Sequence, residues 1–126
     1  MTMPEQANEA RTHLPLTAAV FHILLALSAG DKHGYAVIVD VRDRTAGEVK
    51  LGTGTLYTAI KRLLERGLIE DAEAPADEVQ AGEQRRRYYT LTELGHAVVQ
   101  AEAERLERLV GIARERELLP AATRQK

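Results

Sequence analysis

GTGTLYTAIKRLLERGLIE, residues 52–70, carries two opposed faces. At about 100 degrees per residue, Leu56, Ala59, Ile60, Leu63 and Leu64 fall on one side of a helix, and Thr55, Thr58, Lys61, Arg62 and Glu65 on the other. Tyr57 sits on the border. Thr53 reads as the N-cap, its hydroxyl accepting from the first turn, and Gly67 as the stop. The spacing predicts a helix over 54–66 with a leucine side for a core and a side of hydroxyls and cations left over.

The flanks fit around that helix. Toward the N-terminus, Thr17 can cap a helix in which Val20, Ile23, Leu24 and Leu27 share one side and Phe21 and Leu25 another, with Gly30 ending it. HGYAVIVDV, residues 33–41, opens a second helix whose Tyr35, Ile38 and Val39 recur at i, i+3 and i+4 and which closes at Arg42 to Arg44. The turn Thr45-Ala46-Gly47 and a short extended piece, Glu48 to Leu51, lead into residue 52. Beyond Gly67, Leu68 to Glu70 suits a strand, and Arg87 to Leu91 another. Between them, Pro75, Gly82 and many acids make a hairpin with a long solvated tip. Thr92 caps a last helix running to about Glu117, with one stripe of Val99, Ala103, Leu106, Val110 and Ala113 beside a second of Leu94, Val98, Leu109 and Ile112.

That order (helix, helix, short strand, helix, strand, strand, long helix) is mainly α, of the α+β kind: a winged helix-turn-helix with a long C-terminal dimerisation helix. The expected division is a disordered N-terminal arm over 1–13, a winged-helix domain over 14–91, the dimerisation helix over 92–119 and a disordered tail over 120–126.

Composition narrows the chemistry. A chain of 126 residues holds one domain with its own core and no more than one projecting helix. The longest apolar run, Ile23 to Leu27, is far below the roughly 20 residues that span a bilayer, and the first fifteen residues lack the core of a signal peptide, so a cytoplasmic protein without a membrane segment is expected. The absence of cysteine excludes disulfides and thiolate metal sites. His13, His22, His33 and His96 show no paired spacing, so neither metal nor cofactor is expected. No nucleophile elbow, zinc-protease motif or phosphate-binding glycine loop points to an enzyme.

Net charge is near neutral, 17 basic against 19 acidic residues giving −2, but its distribution is uneven. Arg42, Arg44, Lys50, Lys61, Arg62 and Arg66 outnumber Asp43, Glu48 and Glu65, and Arg85, Arg86 and Arg87 form a block. Short hydroxyls at the start of the 54–66 helix can approach base edges or phosphates, while Lys61 and Arg62 reach further one to two turns on. Its first turn at Thr53, Gly54 and Thr55 offers N–H groups to a phosphate. An ordinary surface helix also carries Lys and Arg, so this face alone does not separate a DNA groove from solvent.

The words HGYAVIVDV, GTGTLYTAIKRLLERGLIE and RRRYYTLTELG, the last at residues 85–95, stand in one order and spacing. As a set they make the chain resemble the PadR-like transcriptional regulators from roughly Leu14 to Leu118, and its single last helix resembles the short subfamily. The resemblance implies a winged helix, a homodimer built from the first and last helices, and repression of a nearby promoter. It places Tyr57 at the DNA surface and gives His33, Gly34 and Tyr35 a phosphate-facing role; Tyr35 fits a core anchor equally well. It also implies a small-molecule inducer of phenolic or drug-like type, for which no residue here argues. Many members carry Pro before the GTLY glycine, and here a capping hydroxyl on Thr53 is expected to replace it.

The expected DNA-binding set is His33, Tyr35, Lys50, Thr53, Thr55, Tyr57, Thr58, Lys61, Arg62, Arg85, Arg86 and Arg87. The wing tip, with Glu70, Asp71, Glu73, Asp77, Glu78 and Glu83, would be repelled by phosphate, so its contribution falls to the three arginines; the alternative is that these pair with the wing acids. The expected dimer set is Phe21, Leu25, Val99, Ala103, Leu106, Val110 and Ala113, and charged residues of the last helix, Glu102 and Arg105 among them, read as solvated faces. Two recognition helices in a dimer would read half-sites about 34 Å apart in a palindrome of double-stranded DNA. The competing expectation is a winged-helix module that binds protein, which the acidic wing and near-neutral charge would suit.

Overall fold

The computed structural model of the chain describes residues 5–80 and 86–121. A short helix α1 (Glu5–Arg11) precedes three helices, α2 (Ala18–Ser28), α3 (Gly34–Arg44) and α4 (Thr53–Glu65), with a two-residue strand β1 (Lys32–His33) between α2 and α3. Strands β2 (Ile69–Ala72) and β3 (Tyr88–Leu91) form the wing, which holds the small helix α5 (Ala76–Gln80), and α6 (Glu93–Glu115) closes the chain. The sheet is antiparallel with order β1-β3-β2. Three packed helices with a strand hairpin beside them are the winged-helix arrangement expected from the sequence. Among the described residues no helix is long and apolar enough to cross a membrane.

Capping follows the chain's hydroxyls and one imidazole. Val20 N–H donates to the Thr17 hydroxyl at 3.2 Å and Gly95 N–H to the Thr92 hydroxyl at 3.0 Å, each supplying an acceptor to an orphan donor of the first turn. Thr92 also donates to the Gly67 carbonyl at 2.6 Å, tying the start of α6 to the end of α4. Gly67, at φ +73, takes the left-handed turn that stops α4, a conformation cheap only without a Cβ. Ile23, Leu24 and Leu27 from α2, Val37 and Val41 from α3, Leu56, Ile60 and Leu63 from α4, Leu68 and Ile69, and Val98 from α6 meet in one buried cluster.

Five expectations need correction. The arm expected to be disordered over 1–13 contains α1, which packs on α6 and buries Ala10, so small apolar residues there found a partner that local periodicity could not reveal. Residues 1–4 and the tail from 122 on lie outside the described residues. The strand expected at Glu48 to Leu51 is a loop: Val49 N–H donates to the Thr45 hydroxyl at 3.1 Å and Leu51 is buried, while β1 takes the place beside β3. The buried face of α3 is Gly34, Val37 and Val41 rather than Tyr35, Ile38 and Val39, since a helix rich in aliphatics admits either phase. Thr53 is the first helical residue, not the cap; Gly52 holds the cap position without a side-chain bond.

The fifth concerns Glu102, which is 2% exposed and not on a solvated face. Its carboxylate accepts from Leu16 N–H at 2.9 Å and from Arg105 Nε at 2.5 Å, and this guanidinium holds the carboxyl below the usual range against the opposing pull of burial. The pair pins the segment leading into α2 onto α6.

Candidate nucleic-acid interface

The two faces of α4 fall as the 52–70 stretch foretells, leucines and isoleucine inward and the polar row outward. Leu56, Ile60 and Leu63 are buried in the common core, where α4 meets α3 and β2, which fixes the rotation of α4 about its axis. Thr55, Thr58, Lys61, Arg62 and Glu65 are therefore all turned outward and exposed among the described residues. Gly52 to Thr55 is exposed as well, so the first N–H groups of α4 are open to an anion. Lys50 is exposed in the loop just before it.

Beside α4 stands the start of α3. His33 caps that helix by accepting from Ala36 N–H through Nδ1 at 3.1 Å, which requires an unprotonated Nδ1. Burial, and secondly the positive charge of Arg86, push the His33 imidazole below its ordinary value and keep it in that neutral form. Arg86 Nη1 lies 3.3 Å from Nε2 of the same ring. Tyr57 leans across to α3: a Cβ placed on Gly34 would stand 2.5 Å from the Tyr57 hydroxyl oxygen, so the glycine makes room for the phenol. His33, Gly34, Tyr35, Tyr57, Arg86, Arg87 and Tyr89 thus line one groove of about 390 Å³. Of the alternatives for Tyr35, the anchor is excluded, because the side chain is 63% exposed; Tyr57 is 51% exposed.

The wing cations are not equivalent. Arg87 bonds Asp71 Oδ1 through Nη2 at 2.7 Å and Nε at 3.1 Å, and its guanidinium carbon lies 5.4 Å from the centre of the Tyr89 ring. That carboxylate holds the guanidinium proton more tightly still. Arg86 forms no ion pair among the described residues, and Arg85 lies outside them. Farther back, Arg44 pairs with Asp40 at 2.6 Å and Arg42 with Asp43 at 3.4 Å, whereas Lys50, Lys61, Arg62 and Arg66 have no such partner among the described residues. Among the described residues, the cations on and just before α4 and Arg86 of the wing are thus without an ion pair on this side of the molecule.

Two features escaped sequence reading. Lys32 Nζ donates to the Ala26 carbonyl at 2.8 Å, closing the end of α2, and His33 acts as a cap through an imidazole rather than a hydroxyl. Neither residue type announces a cap at that position. At the other end of the molecule, Val99 packs into the core of its own subunit, while Phe21, Leu25, Leu106 and Ala113 are half-buried and Ala103 is exposed. The large apolar side chains left bare on α6 are Leu109, Val110 and Ile112, at 50%, 36% and 48% exposure.

Solved structures with the same arrangement come from several bacteria. A PadR family transcription regulator from Clostridium difficile aligns with a TM-score of 0.67 at 27% identity, over 79% of this chain and 97% of the other. A transcriptional regulator from Clostridium thermocellum aligns at 0.63 and 23% identity, over 90% and 97%. A PadR-like transcription factor from Bacteroides fragilis aligns at 0.63 and 18% identity, over 86% and 94%. No curated protein is a significant sequence match to the chain. The profile of the transcriptional regulator PadR-like family matches residues 23–101, a span holding α3, α4, the wing and the first turns of α6, and the chain belongs to that family of regulators, which are not enzymes.

Proposed function

We propose that this regulator binds duplex DNA sequence-specifically as a homodimer and represses from a palindromic operator, α4 lying in the major groove. The observation that carries the reading is the uncovered row Thr55, Thr58, Lys61 and Arg62 on a helix whose opposite side is locked into the core. Thr53, Thr55 and Thr58 suit close approach to the backbone and base edges, and Lys61 and Arg62 suit base or phosphate contacts deeper along the groove. His33, Tyr35, Tyr57 and Arg86 form an adjoining surface at which the backbone would pass, and Lys50 extends it.

In this reading residues 14–91 are the DNA-binding unit, and 92–119 the dimerisation helix, with Leu106, Leu109, Val110 and Ile112 meeting a second copy alongside Phe21 and Leu25 of α2. Its working compartment is the cytoplasm. The test is retardation of a duplex from the promoter of its own gene at several salt concentrations. Binding that falls steeply with salt is expected, because each phosphate contact releases counterions. Absence of any shift at low salt would favour the protein-binding module instead.

A further inference from the structure

We infer that Asp71 is a built-in competitor for phosphate, an acid of the wing that holds Arg87 and so lowers the sequence-independent affinity of this protein for duplex DNA. The inference rests on the DNA-binding reading above. It starts from an asymmetry between two parts of one surface. On α4, Lys61 and Arg62 stand without an ion pair among the described residues, although Glu65 shares their face. On the wing, Arg87 gives two donors to a single oxygen of Asp71.

Asp71 lies opposite Tyr89 in the β2–β3 ladder, so the strand pairing itself delivers its carboxylate to the guanidinium that reaches back from residue 87. The small helix α5 brings Glu78 to the same sheet, where its Oε2 accepts the Tyr88 hydroxyl. The Tyr88 ring stands edge-on to the His33 imidazole, at 5.3 Å between centres and 88°, and Arg86 touches the far side of that imidazole. The Glu78 Oε1 atom is buried with no partner among the described residues, and Glu78 is in no ion pair among them. Asp71 thus already occupies the two donors that Arg87 would otherwise turn to a phosphate.

A guanidinium already paired with a carboxylate neutralises a phosphate, and releases the cation condensed on the DNA there, only once the phosphate has displaced that carboxylate. Sequence-independent affinity, which is almost wholly electrostatic, is lowered accordingly. Exposed ion pairs are weak, so the restraint is mild and reversible. Asp71→Asn keeps an acceptor for Arg87 and removes only the charge; Glu78→Gln does the same for Tyr88.

The experiment measures fluorescence polarisation of a mixed-sequence duplex of roughly 24 base pairs, two helical turns, at salt from about 50 to 200 mM. Full-length wild type, Asp71→Asn, Glu78→Gln, Arg62→Ala, Arg87→Ala and the Asp71→Asn/Arg87→Ala double variant are compared, each with its circular dichroism recorded. Asp71→Asn is expected to bind about two- to fivefold more tightly, with a salt slope steeper by up to about 0.9. Glu78→Gln removes a wing charge without freeing a cation and is expected to gain less than Asp71→Asn; an equal gain would overturn the competition. The gain of Asp71→Asn shrinks in the Arg87→Ala background, because the cation it frees is gone. Unchanged affinity and slope in a folded Asp71→Asn, with Arg62→Ala weakened, overturns the inference and leaves the DNA-binding reading standing. No binding by wild type at the lowest salt, or an Arg62→Ala as tight as wild type, removes that reading and the inference with it.

Discussion

Arg62 is exposed on α4, lacks an acid partner among the described residues and shares its face with Thr55, Thr58 and Lys61. Arg62→Ala and Lys61→Ala are each expected to cost operator binding about 1–3 kcal/mol where the contact is to a base, and less with a shallower salt slope where it is to a phosphate. Titration of a promoter duplex at two salt concentrations tells these apart; full retention of affinity by both variants would take α4 out of the groove. Gly34 offers a second test at this scale. A methyl there meets only the end of the half-exposed Tyr57, which can swing away, so Gly34→Ala should leave the thermal midpoint nearly unchanged. DNA affinity should fall by about two- to tenfold, since the phenol leaves its place on the surface. A large loss of stability with undisturbed binding would contradict this account of Tyr57.

At the scale of elements, the molecule depends on how α1 and the segment up to Leu16 are held against α6. Glu102 is the fastener, with Leu16 N–H and Arg105 as its two donors. Its carboxyl is held below the ordinary value of 4.5, so the unfolded chain binds this proton more readily than the folded one. The stability it contributes is therefore full above pH 4.5 and is lost as pH falls through the depressed folded value. Glu102→Gln should flatten that part of the curve of stability against pH and lower stability at neutral pH. Urea melts of both proteins between about pH 3 and 7 measure it; parallel curves would show the pair to be inert. His33 works in the same sense at higher pH, its neutral ring being needed as a cap, so its contribution is full above 6.5 and declines as pH falls below that value.

For the whole molecule, the bare apolar side chains Leu109, Val110 and Ile112 lie on the half of α6 that extends past the small domain. An exposed patch of this kind on a long helix suits burial against a second copy. Leu109→Glu combined with Ile112→Glu is expected to convert the protein to a monomer in sedimentation velocity while far-ultraviolet circular dichroism stays unchanged. Affinity for a palindromic duplex should drop far more than affinity for a half-site, because two linked recognition helices bind as one unit. A dimer that survives both substitutions would move the interface elsewhere.

The helices α2, α4 and α6 were legible in the sequence because each has a cap or a stop of known chemistry and one strongly periodic face, and a period of 3.6 residues is a local property. The polar row on α4 was legible for the same reason: fixing Leu56, Ile60 and Leu63 inward leaves no other place for Thr55, Thr58, Lys61 and Arg62. Long-range packing settled the choices between local solutions of nearly equal merit. The phase of α3 turned on which valines met α2 and α4, and β1 exists because β3 offers it a partner over two residues. Glu102 stands on the apolar stripe of α6, four residues after Val98 and three after Val99, and its burial follows from a donor 86 residues earlier in the chain. Arg86 and Arg87, neighbours in a uniform run, part company because the sheet register brings Asp71 to one and the His33 ring to the other. A sequence fixes periodicity and charge along the chain; long-range contacts select which of those charges are spent within the fold.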